Sequence, residues 1–395
     1  MRDQEFLKEI ARELPTPGYL FDMDAFARRA EAVKAAFGEK TGICFSIKAN
    51  PFLLSDLPEV FDKIEVCSPG ELTICEKTGV DMGKVIFSGV NKTAEDVERA
   101  MEDCVGVFTA ESYLHLDLIN ASARKRGKVV DVLVRLTGGS QFGMDEADVL
   151  EVIANRSRYA GIRIVGIHFF TGTQKSKVKV IEKELNQLAA FLEKVKTELD
   201  FTLERVEYGT GLAVDYFCPD GEEKEMARLE AGAPAIREMS EKVRLTVEMG
   251  RFFAAPCGYY FTKVMDVKTN CGVNYAIVDG GLNQLKYDGE LYGMQIPVIS
   301  QLKQGQEEKL WTLCGSLCTT ADVLTKNVPL KDLAIGDVLV FHRTGAYSAM
   351  EGMAIFLSRE MPVIASYSDV GGMQILRERV LTDVFNTPAE CLGIL

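Results

Sequence analysis

Eight short apolar runs, each followed by a stretch of helical periodicity, fill the middle of this chain and leave few folds open to it. They begin at Ile43 (ICFSIKAN), Ile64 (IEVCS), Lys84 (KVIFSG), Gly106 (GVFTAES), Val129 (VVDVLVRL), Arg163 (RIVGIHFF), Arg205 (RVEYGT) and Arg244 (RLTVEMG). Most are too continuously apolar for strands wetted on one face. That is the pattern of parallel strands buried on both sides. Before and between them lie amphipathic segments such as DMDAFARRAEAVKAAFGEK and VKVIEKELNQLAAFLEKVKTEL. In the second, Val180, Leu185, Leu188, Phe191, Leu192 and Val195 form one stripe suited to packing on a barrel wall. Eight β-then-α units over roughly 210 residues match a (β/α)8 TIM-like barrel, which takes about 250. A doubly wound sheet is the competing architecture. It has fewer strands and a glycine-rich first turn, whereas the first turn here is KANPF.

After about Ala255 the texture changes. Helical periodicity fades, and FTKVMDVKT, NYAIVDGG, KLWTLCG, DVLVFHR and MPVIASY read as strands punctuated by AIGD and by GG and TG pairs. The expected organisation is an α/β chain with a barrel domain over residues 18–255 and a smaller β-domain over 256–395, against which residues 1–17 pack. No internal repeat or low-complexity tract interrupts it.

Charge narrows the partners. With 45 basic and 58 acidic side chains the net charge is −13, a surface that repels nucleic acid and anionic membranes. A small anionic ligand in a locally basic pocket stays compatible. No apolar stretch is long enough for a transmembrane helix, and MRDQEFLKEIARELPTPGYLF lacks a signal-peptide core. The ten cysteines show no paired spacing, as expected of reduced thiols in a cytoplasmic protein. Cys314 and Cys318 are the closest pair. With three histidines in the chain and no second cysteine pair nearby, no metal site is expected.

Barrel enzymes place their chemistry at the C-terminal ends of the strands. Here those ends carry Lys48; Glu65 and Ser68; Ser88 and Gly89; Glu111; Arg135; Thr171, Gly172 and Thr173; Gly209, Thr210 and Gly211; and Glu248, Gly250 and Arg251. Lysine, glycine-rich turns and arginine, with acids alongside, suit a phosphorylated ligand that reacts with an amine. A lysine following an apolar run is partly desolvated, which lowers its pKa and makes it a nucleophile toward aldehydes. A snorkelling surface lysine is the bland alternative. Gly209 and Gly211 let backbone N–H groups approach a phosphate, and Gly250-Arg251 adds a fixed positive charge at the next strand end. Taken alone, GTG makes an ordinary turn. A carboxylate such as Glu248 facing a pyridine nitrogen keeps the ring protonated, and a structural salt bridge is its bland reading.

In this order the motifs resemble the fold-type III decarboxylases that depend on pyridoxal 5'-phosphate (PLP), the diaminopimelate and ornithine decarboxylases among them. FSIKAN is similar to the lysine motif and implies Lys48 as the Schiff-base lysine. EVCSPGEL resembles the second-strand motif, with Glu65 where aspartate is usual. YGTGL resembles the glycine triplet, with Thr210 as its middle member. EMGR resembles EPGR and implies Glu248 at the pyridine nitrogen and Gly250 and Arg251 at the phosphate. VDGG resembles the start of the β-domain segment. CGSLCTTAD is similar to the cysteine motif and implies Cys318 as the thiol that handles the proton at the decarboxylated carbon. RTGAY implies Tyr347 near the phosphate. The resemblance also implies a homodimer in which the cysteine loop of one chain completes the site of the other.

The departures concern stacking and substrate. Where the family carries a ring-stacking histidine, GIHFFTGTQ has Phe170 as the expected stacking ring, and His168, two residues earlier, is expected at the substrate. Thr173 takes a serine's place near the phosphate. After the cysteine, many members have an acid that receives a distal ammonium, whereas Thr319 stands here, followed by Asp322. Lys286 and Tyr292, in QLKYDGELYG, are the nearest groups to the place where diaminopimelate enzymes hold a carboxylate. The expectation is a PLP-dependent decarboxylase of an amino-acid-type substrate, with Lys48 and Cys318 catalytic. QFGMD, TGTQ and the Leu-Cys-Thr of CGSLCTT look similar to a secondary-metabolism branch acting on glutamyl groups tethered to a carrier protein. A racemase of the same barrel class and a non-catalytic homologue binding a protein partner are the rivals. The first would leave no use for the Cys318 loop, and the second would not keep lysine, phosphate loops and cysteine together.

Overall fold

The computed structural model describes residues 2–288 and 293–391, so Tyr292 lies outside the described residues. The chain divides into two compact units. One comprises Ala27–Val214 and Glu223–Phe252, and the other Met1–Phe26, Asp215–Glu222 and Phe253–Leu395. No helix among the described residues is long and apolar enough to cross a membrane.

The first unit is a closed barrel. Its strands are Gly42–Ser46, Lys63–Val66, Val85–Phe87, Val107–Ala110, Val130–Leu136, Ile162–Phe170, Arg205–Gly209 and Arg244–Met249. Each pairs in parallel with the next, and Gly42 to Phe45 close the ring against Thr246 to Met249. All eight apolar runs became barrel strands. The physical reason is double burial: Val85–Phe87 and Val107–Ala110 are buried at every position, which no half-wet strand could be. Cys44, Ile86, Val107, Leu133 and Val165 pack into a core cluster.

Helix Val178–Leu199 buries Ile181, Leu185, Leu188, Phe191 and Val195. Val180, placed in that stripe by the sequence reading, is exposed. One residue turns a helix by about 100°, and Ile181 holds the buried position instead. Glu184 is also buried on this face. It accepts from Tyr208 and Thr171 and pairs at 2.7 Å with Lys175, which satisfies a carboxylate that would otherwise be costly there.

The second unit is a nine-stranded sheet. The five expected runs appear as Gly258–Asn270, Val273–Val278, Glu308–Cys314, Val338–His342 and Val363–Ser368. Four further strands carry no clear pattern: Gly18–Asp22, Ile299–Gln301, Val323–Lys331 and Gly372–Arg377. Gly18–Asp22 lies between Gly258–Asn270 and Val363–Ser368, buried at all five positions. These residues therefore belong to the sheet, although the sequence reading starts the barrel domain at residue 18. Helix Gln4–Glu13 is capped by the Asp3 side chain, which accepts from the Phe6 N–H. Its Leu7 and Ile10 pack with Leu20, Tyr259, Phe261 and Val340.

Candidate active site

Lys48 stands in a single 3-10 turn, Ile47–Ala49, immediately after the first barrel strand. Its Nζ donates to Glu65 Oε2 at 2.7 Å and lies 3.8 Å from Glu248 Oε1. The lysine side chain keeps 40% of its surface while Glu65 keeps 4%, so the amine looks out of the barrel and its partner is fixed in the wall. Cys67 Sγ is 3.4 Å from the same Nζ and 3.0 Å from Glu65 Oε1. Burial, then the Glu65 charge, push this thiol's pKa up, so it serves as a neutral donor. The sequence reading overlooked Cys67, which looks like an ordinary apolar strand-end residue.

Glu248 is held at both carboxylate oxygens. Ser46 Oγ donates to Oε1 at 3.0 Å, and His168 Nε2 meets Oε2 at 2.9 Å. Burial opposes its ionisation, but His168, Lys48 and Ser46 outweigh it and hold the carboxyl well below the usual range. His168, expected at the substrate, is 2% exposed and turned to Glu248, one layer below Phe170 along the same strand. Glu207 on the seventh strand lies level with His168 and is also 2% exposed. The sequence reading missed it, although an acid amid RVEYGT was a visible anomaly.

The glycines are set by sterics. A Cβ on Gly209 would lie 2.5 Å from the Phe170 ring, and one on Gly211, where φ is +61°, would lie 2.0 Å from the Gly172 carbonyl oxygen. Gly250 brings the end of the eighth strand onto the Lys48 turn, where a Cβ would be 2.8 Å from that of Ala49. Arg251 Nε donates to Thr173 Oγ1 at 3.4 Å. Gly172, Thr173, Gly211 and Arg251 thus converge, while Thr210 is fully buried beside them. Around Gly172 the space for a side chain is open.

Arg135 is held apart from that group. Its Nη1 donates to Glu111 Oε1 at 2.9 Å, its guanidinium lies 4.6 Å from the Phe142 ring centroid, and its Nε finds no partner. Glu111 also accepts from the Gly143 N–H, tying the fifth strand to its loop. Nearby Lys92, another residue the sequence reading passed over, is 4% exposed, and burial lowers its pKa to about 8.

In the sheet unit Cys318 and Thr319 are exposed. Asp322 is buried and turned into the loop, accepting from the Leu282 and Leu317 N–H groups, each at 2.8 Å. Gly281 and Gly315 make room for it, since Cβ atoms there would lie 2.7 and 2.3 Å from its Oδ2. Lys286 is exposed and pairs with Glu351 at 3.0 Å. Tyr347 adopts a left-handed backbone, φ +64°, a conformation rare for a bulky side chain and common at ligand sites.

The sequence pattern of the pyridoxal-binding domain of pyridoxal-dependent decarboxylases matches residues 23–255. This chain belongs to that family. It is 26% identical to the diaminopimelate decarboxylase of Aquifex aeolicus over 403 residues, covering 97% of this chain and 94% of that one. It is 27% identical to the L-glutamyl-[BtrI acyl-carrier protein] decarboxylase of Niallia circulans, covering 91% of each. In fold it is similar to the diaminopimelate decarboxylase of Helicobacter pylori crystallised with L-lysine, with a TM-score of 0.85 at 24% identity over 98% of this chain and 100% of that one. The protein is thus a PLP-dependent amino-acid carboxy-lyase. Its residues fit the cofactor: an amine beside a fixed acid, a carboxylate held ionised at the barrel mouth, and a glycine-lined turn joined by an arginine.

Proposed function

We propose that this decarboxylase acts on an amino-acid unit whose distal end carries no positive charge, specifically a glutamyl group tethered to a carrier protein. The observation that carries this reading is the cysteine loop. Thr319 follows Cys318, and Asp322, the sole carboxylate of residues 316–322, spends one oxygen on the loop's own Leu317 N–H and the other on the Leu282 N–H. A distal ammonium would find no charge-assisted partner there. The likeness to the carrier-protein decarboxylase supports the specific form.

The bound cofactor supplies the electron sink for the bond to the α-carboxylate. Lys48 is the amine that holds its aldehyde, and Glu65 and Glu248 fix that amine. Glu248 keeps the ring nitrogen protonated. Phe170 offers a flat face for offset stacking, and Gly209, Gly211, Gly250, Arg251, Thr173 and Tyr347 receive the phosphate. Cys318 or Lys48 returns a proton to Cα. The working unit is a homodimer in the cytoplasm, each cysteine loop completing the partner's site.

CO2 release measured from a glutamyl thioester on a carrier protein, free glutamate, diaminopimelate, ornithine and lysine tests the reading. Release from the thioester with little from the diamino acids is expected. Turnover of diaminopimelate at comparable kcat/KM overturns the substrate assignment.

A further inference from the structure

Three buried side chains meet beneath the mouth of the barrel, and the roles assigned so far use two of them. His168, Glu207 and Glu248 come from three adjacent strands; Glu207 sits beside His168 on one side and Thr246 on the other. One donor atom from each lies within 4.8 Å of the other two. A Glu207 carboxyl oxygen thus lies within 4.8 Å of one of Glu248, and Glu207 Oε1 has no partner. Two carboxyl groups this close in a dry interior cannot both be ionised. The surroundings decide which one keeps the proton. Ser46, His168 and Lys48 all favour the Glu248 anion. Glu207 faces the charges of Glu248 and Glu65 and has the remote Lys63 as its cationic neighbour. Burial, then Glu248, push its pKa up. Cys44, in register with Glu248 where the barrel closes, is a buried thiol that burial likewise keeps neutral.

We infer that Glu207 is a positioning residue: a neutral acid that donates a hydrogen bond to Glu248 from below and sets how strongly that carboxylate draws the proton of the cofactor's ring nitrogen. Ser46 and His168 fix the two oxygens of Glu248 laterally, and Glu207 adds a donor that spreads its charge. Without that donor Glu248 is more basic, and the ring proton moves toward the carboxylate. The ring then accepts electrons less readily. The inference rests on Glu248 meeting the ring nitrogen, as proposed above.

Two measurements test it. Infrared spectra of cofactor-free protein at neutral pH should contain the carbonyl stretch of a protonated carboxylic acid, absent in Glu207→Gln. If the band is missing, or survives the substitution, Glu207 is not the neutral acid and the inference fails. Nitrogen NMR of the holoenzyme loaded with ring-labelled cofactor supplies the second readout. Glu207→Gln keeps an N–H donor and should keep the wild-type ring-nitrogen shift. Glu207→Leu should move it toward the unprotonated value and lower kcat about tenfold or more at little-changed KM, the scale of one hydrogen bond to a charged group. If Glu248→Gln moves the nitrogen signal and Glu207→Leu does not, only the role of Glu207 is overturned. If Glu248→Gln itself leaves the signal unmoved, the placement of Glu248 is wrong and the role of Glu207 falls with it. A stoichiometric divalent metal in purified protein, lost in Glu207→Gln, also overturns the inference in favour of a metal centre.

Discussion

Lys48 Nζ and Glu65 Oε2 are 2.7 Å apart, an ion pair between the first two barrel strands with the amine at the surface and the acid in the wall. The pair orients the amine before any ligand arrives. Replacing Glu65 with Gln should therefore slow cofactor loading and leave the fold intact. Following the cofactor absorbance during reconstitution of apoprotein checks this. Lys48→Ala should lose the borohydride-trapped adduct altogether, and mapping of the labelled peptide should place the wild-type adduct on Lys48.

Glu248→Gln removes the charge that His168, Ser46 and Lys48 are arranged to hold. The expected loss in kcat is about a hundredfold or more, the scale of a positioned acid–base group, with a smaller change in KM. Steady-state CO2 release measures both.

Gly209→Ala places a Cβ against the Phe170 ring, 2.5 Å away at its nearest. Overpacking of this kind costs about 1–3 kcal/mol, and the thermal midpoint should fall. Because the clash is with a side chain, Phe170→Leu in the same chain should restore much of the loss. A midpoint unchanged in the single variant would mean that the ring has room to swing aside.

The proton held by Glu207 makes stability pH-dependent. Its ordinary value is 4.5 and its folded value is raised. Above about 4.5 the native state therefore binds more protons than the unfolded chain, and this group's contribution to stability falls as pH rises toward its folded pKa. Glu207→Gln lacks that slope. The difference in unfolding free energy, variant minus wild type, should grow with pH by up to about 1.4 kcal/mol per pH unit. Urea titrations of apoprotein at several pH values would show it, and a difference independent of pH would place the proton elsewhere.

Mixing Lys48→Ala and Cys318→Ala chains, each inactive alone, should recover activity if the two residues of one site come from different subunits. Random reassociation allows at most about a quarter of wild-type sites. No recovery, with hybrids confirmed by mass, would place both residues in one chain.

The barrel was legible because a parallel strand buried on both faces needs an unbroken apolar run, and eight such runs in order admit few topologies. Lys48, Glu65, Glu248 and the glycines were legible because strand ends are where a barrel exposes backbone and side chains. Local pattern could not place Gly18–Asp22, a five-residue strand whose partners lie more than 200 positions away in the chain. It could not show that Asp322 is consumed by Leu282 and Leu317, nor that Glu207 comes within 4.8 Å of Glu248. Period and composition record what each residue does to its own neighbourhood. Which acid keeps a proton depends on charges carried in by other strands, and only the closed barrel brings those within reach.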